Sequence, residues 1–249
     1  VALGTLLSSY ITSLIFCLYT YNFIVNNFQI IPKFNGIIVR SKLQKLLTIN
    51  LNIFIRTFFL TFSFLWITYL GSKLGEDYLA VNTILMQFLI LASFFLDAYA
   101  FTTEGIVGYA IGRGNKKNFL LIVKNSIIIS FFTAIIISIL YLLCFKFIIN
   151  LITDIEILRF ISYQHAMWII IIPTFASICY QLDGIFIGAS RTQEMRNAMI
   201  ISVVTFLIIS IYLTNYFGNH GLWLALLIFM ILRSLTLLFL FGNILKYLK

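Results

Sequence analysis

Apolar residues along this chain come in long unbroken runs, separated by short polar clusters instead of alternating with them. A run of about 20 apolar residues, wound as a helix, spans the hydrocarbon core of a bilayer. Seven such spans are read, at 1–25, 49–72, 79–111, 119–151, 159–188, 198–217 and 221–242. The expected fold is therefore all-α, a polytopic membrane helical bundle of about seven transmembrane helices. The connections are short, with one exception: "PKFNGIIVRSKLQKL", after the first span. It carries Lys33, Arg40, Lys42 and Lys45, with Phe34, Ile37, Ile38, Leu43, Leu46 and Leu47 at near-helical spacing. Two readings stay open for it, an amphipathic helix on the membrane surface or a solvated basic linker. The division expected is 1–26, the last helix of an N-terminal lobe; 27–48, a basic linker between lobes; and 49–249, a six-helix C-terminal lobe. One span, a linker and six spans look like the tail of one bundle followed by a complete second one, and transporters are often built from two such repeats. Val1 already lies within an apolar run, so the chain is expected to be a fragment whose N-terminal lobe is missing.

Composition agrees with a membrane protein and narrows the function. Of 249 residues, 61% are hydrophobic and 10% charged, against about a quarter charged in water-soluble chains. The formal charge of +9 does not point to nucleic acid, because the positives sit in short loops beside the spans. With seven spans, one side collects twelve Lys and Arg, including Lys33, Arg113, Lys116, Arg196 and Lys249, and the other only Lys73, Lys146 and Arg159. The positive-inside rule then places the linker and the C-terminus in the cytoplasm. Cys17, Cys144 and Cys179 are dispersed in apolar runs without CxxC or metal spacing and read as packing residues. No nucleophile elbow or phosphate-cradling loop is present, so no enzyme activity, metal or cofactor is expected.

Five ionisable residues fall inside spans: Arg56, Asp97, Glu104, Asp183 and Arg233. Such residues are costly in lipid and are functional candidates by default. Asp97 and Glu104 are seven apart, about 20° short of two helical turns, so they share a face. Asn82, Met86 and Ser93 fall near the same face and are candidates to line a cavity. By helical rise Asp97 lies roughly 27 Å into its span, and the charges gather toward the cytoplasmic half. Two arginines against three carboxylates leave one acid without a cation. Such an acid can carry a proton. Asp97, Glu104 and Asp183 are thus candidates for proton or cation coupling, with Arg56 and Arg233 as charge partners; a purely structural ion-pair network is the alternative. His165 reads as a lone interfacial hydrogen-bonder, and Pro173 should kink its helix.

Three stretches carry a family resemblance. "NIFIRTFFL" at 52–60, "LAVNTILMQFLILASFFLDAYAFTTEGIVGYAIGRGN" at 79–115 and "YQLDGIFIGASRTQEMRNAM" at 180–199 resemble the seventh, eighth and tenth helices of multidrug and toxic compound extrusion (MATE) transporters, in the subgroup named for the DNA-damage-inducible F protein. Ala98 stands where that subgroup has Gly. The resemblance covers essentially the whole chain. It implies a twelve-helix antiporter whose first five helices are absent here, among them the helix whose Asp is credited with proton coupling in the subgroup.

What it implies for function is secondary active efflux of small organic, often cationic, solutes or drugs, by antiport against protons or sodium, in the bacterial inner membrane. The partners implied are the solute, the lipid bilayer and the missing N-terminal lobe. A lipid-linked sugar flippase of the same superfamily is the near alternative; it would want a cationic cavity, and five charges summing to a net acid disfavour it. A seven-helix receptor and a non-transporting membrane scaffold are the remaining alternatives.

Overall fold

The computed structural model describes residues 2–28 and 39–247. Its helices are α1 (Ala2–Phe28), α2 (Arg40–Leu74), α3 (Glu76–Gly112), α4 (Lys116–Ile152), α5 (Glu156–Gly188) and α6 (Thr192–Tyr247). All six are long and apolar enough to cross a membrane, and the chain is a multi-pass membrane protein. The sixth and seventh expected spans are the two arms of α6. The helix breaks at Gly218, whose φ of 57° and ψ of −136° are not helical. The arms fold back on each other there: a Cβ built on Gly221 would stand 1.9 Å from the Leu213 carbonyl oxygen, a residue about 12 Å away along a straight helix.

The described residues divide into two compact units, Val1–Leu47 and Thr48–Lys249. In the first, the apolar side chains of α1 are exposed, Leu14 and Phe16 among them. Lys33, Phe34, Ile37 and Ile38 lie outside the described residues. From Arg40 onward the basic segment is no loop: it runs on helically into the second span.

In the second unit, the buried positions of α3 form one stripe, Val81, Leu85, Phe88, Ala92, Leu96, Ala100, Thr103 and Val107, with the three-to-four-residue spacing of a helix face turned into a bundle. Helix α5 is the centre of the unit, with seventeen residues buried. Lipid gives two helices no hydrophobic reason to associate, so close packing of small residues has to supply it. Gly184 and Gly188, one turn apart on α5, do so against α3. A Cβ on Gly184 would lie 2.4 Å from the Ala100 carbonyl oxygen, and one on Gly188 equally close to that of Glu104. Polar side chains also link the helices. Tyr141 on α4 donates to the Phe88 carbonyl (2.7 Å), Trp66 on α2 donates to Ser210 (3.0 Å), and Thr103 on α3 donates to Gln181 on α5 (2.9 Å).

Gly184→Ala and Gly188→Ala must each push two backbones apart. Each is expected to lower stability by about 1–3 kcal/mol, seen as a lower midpoint in thermal unfolding of the detergent-solubilised protein. Gly105→Ala, whose added Cβ meets nothing within 4 Å, is the control and should be neutral or slightly stabilising.

Candidate functional site

The Gly184 crossing fixes the neighbouring residue, Asp183, at the heart of the unit. Asp183 is 5% exposed and Arg233 only 1%. Arg56 from α2 and Arg233 from the second arm of α6 both donate through Nη2 to the same carboxylate oxygen, Asp183 Oδ2. One acid thus ties three helices together. Burying these charges is costly, and only their mutual attraction and hydrogen bonding offset it. Asp183 Oδ1, Nε of both arginines and Arg233 Nη1 have no hydrogen-bond partner among the described residues.

Beside this bridge lies a cavity of about 160 Å³ between α2, α3, α5 and α6. Its walls are mostly apolar, from residues such as Phe64, Leu89 and Ile172, and its polar groups are Arg56, Ser93, Asp97 and Tyr180. Met86 also lines it, as does Pro173, whose missing N–H leaves the Ile169 carbonyl without a helical donor. Asp97 is half-buried and within the electrostatic reach of Arg56, Asp183 and Arg233, yet it forms no ion pair with any described residue. Both guanidiniums are turned to Asp183.

The five intramembrane charges therefore do not form one cluster. Four of them do, Arg56, Arg233, Asp183 and Asp97. Glu104 is half-buried two turns further along α3, does not line the cavity, and makes no ion pair with a described residue. Helical phase did place it on Asp97's side of the buried stripe, but the cavity closes before that depth. The clustered set sums to zero, where counting all five gave a net acid. Asn82 likewise stands apart from Asp97. Its side chain exchanges hydrogen bonds with Asn219 (2.7 and 3.0 Å) and accepts one from Trp223 (2.9 Å), which fastens α3 to the turn of α6. It borders a separate groove with Thr61 and Thr83. Of the cavity-lining candidates, Met86 and Ser93 face the cavity and Asn82 does not. Tyr180 escaped the sequence reading. The signal for it was its position three residues before Asp183, on the same face of α5.

The family model described as MatE matches residues 53–216, and the chain belongs to that family of membrane transporters. It is 36% identical over 198 residues to the DNA damage-inducible protein F of Escherichia coli (strain K12), covering 80% of this chain and 43% of that protein. A MATE transporter crystallised in a straight conformation superposes on 99% of the chain and 56% of its own length, with a TM-score of 0.87 at 16% identity. A Vibrio cholerae MATE transporter in a bent form superposes on 86% of the chain and 49% of its own, with a TM-score of 0.76 at 13% identity. The chain thus spans about half the length of the relatives it matches.

Asp183→Asn removes the charge that holds two buried guanidiniums. It is expected to destabilise the protein by about 3–5 kcal/mol, read as a large fall in unfolding midpoint. Replacing all three partners with apolar residues (Arg56→Met, Asp183→Leu and Arg233→Met together) should cost less than Asp183→Asn alone, since no unpaired charge is left buried.

Proposed function

We propose that this chain is the solute-translocating C-terminal part of a secondary efflux transporter, exchanging an organic and often cationic solute for protons or sodium, with Asp97 as the group that both compete for. The observation that carries the reading is the division of labour between the two aspartates. Asp183 is committed to Arg56 and Arg233, whereas Asp97 faces the cavity without an ion pair among the described residues. With Asp97 ionised the four clustered charges balance, and an aromatic and aliphatic cavity with one available carboxylate suits a lipophilic cation. With Asp97 protonated the same set carries +1 and rejects that cation. Loading and release are then alternate occupancies of one carboxylate, the differential affinity that a coupled conformational change requires.

The sequence supports placing the whole protein in a bacterial inner membrane with the C-terminus cytoplasmic, through the Lys and Arg bias of its loops. An N-terminal lobe would complete the cavity and rock against this one. A pyrophosphate-lipid flippase would need guanidiniums left over, and here both answer to Asp183. Proton is the coupling ion that a lone carboxylate serves most simply; sodium would need further oxygen ligands around it.

The test uses the full-length protein in proteoliposomes with a fluorescent lipophilic cation and an imposed pH gradient. Asp97→Asn is expected to lower gradient-driven efflux by about tenfold or more while the protein stays folded, and Glu104→Gln to keep most of it. Wild-type gradient dependence in Asp97→Asn would remove Asp97 from the mechanism. Sodium-driven efflux without a pH requirement would replace the proton as coupling ion.

A further inference from the structure

The chain's two histidines, 55 residues apart in sequence, meet at the other end of the bundle from the carboxylate cavity. His165 on α5 lies about 27 Å along the helix axis from Asp183. It is 2% exposed, and its ring stacks on that of His220, with centroids 4.1 Å apart and planes within 16°. His220 is exposed and covers it from outside. The sequence reading of His165 as a solitary interfacial hydrogen-bonder is corrected by this contact.

Hydrogen bonds fix where the protons sit. His165 Nδ1 lies 2.8 Å from the Ile161 carbonyl oxygen. A carbonyl only accepts, so Nδ1 carries the proton and Nε2 of the neutral ring is a lone pair. Trp168 Nε1 donates to His220 Nδ1 at 3.1 Å, so that nitrogen is an acceptor already in use and Nε2 of His220 carries its proton. One imidazole lone pair is left over, His165 Nε2. It is buried and has no hydrogen-bond partner among the described residues. A shared metal ion does not explain it: lone pairs lie in the ring planes, and the planes of two stacked rings do not converge on one ion.

The immediate surroundings of the pair are aromatic. Tyr78 from α3 meets His165 edge to face (6.3 Å), and Trp168 flanks His220 from α5. The charged groups at this end are Lys73, Glu76 and Asp77; Lys146, which sits over the Tyr163 ring; Glu156 in the first turn of α5; and Arg159, paired with Asp154. Among the described residues none of them forms an ion pair or hydrogen bond with either imidazole. The pair adjoins the Gly218 break, and Asn219, next to His220, is bonded to Asn82.

We infer that His165 and His220 form a second proton-binding site of this protein, separate from the carboxylate cavity, which takes a single proton at His165 Nε2. The proton arrives from the aqueous side past the exposed His220 ring. No hydrogen bond breaks when it binds, because the lone pair it uses is unoccupied. Two imidazolium rings at this stacking distance repel, so the stacked pair holds one proton. Imidazole is the side chain whose unperturbed charge change falls between about pH 5 and 8, which sets the range over which the site is titrated. The proton puts a positive charge under the turn that joins the two arms of α6, and acid there favours conformations in which the stack is loosened.

Intrinsic tryptophan fluorescence reads the site directly, because an imidazolium beside an indole quenches it. The full-length protein in lipid nanodiscs is titrated from pH 8.5 to pH 5. The wild type is expected to show one quenching step, lost in Trp168→Phe, which removes the reporter, and in His165→Phe, which keeps a flat ring without a titrating nitrogen. His165→Gln is a second replacement with the same expectation, and gel filtration and helical circular dichroism identify the folded variants. Asp97→Asn should keep the step, so a failure of the cavity mechanism and a failure of this site give different results. Absence of a step in the wild type, or its survival in a folded His165 variant, overturns the assignment.

Discussion

One carboxylate shared by two arginines is the interaction on which this structure turns. Asp183 sits where α5 runs against α3 at glycine contact, and it draws Arg56 from α2 and Arg233 from α6 onto a single oxygen. Without the acid, two guanidiniums would be stranded in a low-dielectric interior; without the arginines, the acid would be. The attraction fixes three helices relative to one another. It also occupies both of the cations nearest the cavity, and this second consequence gives Asp97 its character. Asp97 is a neighbour of the bridge and yet outside it, facing an apolar space with no ion-pair partner among the described residues.

The small residues and the charges are therefore parts of one design. Gly184 and Gly188 allow α3 and α5 to approach until backbones touch, which is how a bundle in lipid gains packing energy. The same approach puts Asp97 and Tyr180, on facing helices, around one cavity. A bulkier residue at position 184 would widen the crossing and move the cavity wall together with the bridge. At the far end the contacts around the α6 turn are of a different kind, uncharged: Asn82 with Asn219 and Trp223, and Trp168 with His220.

Much of this was legible in the sequence because membrane helices obey simple rules. Run lengths placed the spans, and Gly218 was found between the sixth and seventh of them. Intramembrane charges marked the interior, and helical phase placed Asp97 beside the buried stripe of α3. What could not be read was depth and pairing. Phase alone cannot tell where along a shared face a cavity ends, so Glu104 was grouped with Asp97. A one-dimensional count of charges cannot show that one acid takes both arginines, so the interior was reckoned net acidic although the clustered set balances. Asn82 lay near the right face, but its amide was taken by Asn219, far away in sequence. The His165–His220 stack depends on the fold-back of α6, which no local pattern around either residue encodes. Membership of the MatE family, by contrast, rested on contiguous motifs and was accessible from the chain itself.

The central claim is that Asp97, and not Asp183, is the carboxylate that exchanges a proton in this lobe. Infrared difference spectroscopy of the full-length protein between alkaline and mildly acidic pH observes this directly, through the carbonyl stretch of a protonated carboxyl group. The account predicts a protonated-carboxyl band that appears on acidification, disappears in Asp97→Asn and is retained in Glu104→Gln. It further predicts that a lipophilic cation, added at constant pH, reverses the band as it displaces the proton. A band that persists unchanged in Asp97→Asn, or one that ignores the cation, would contradict it.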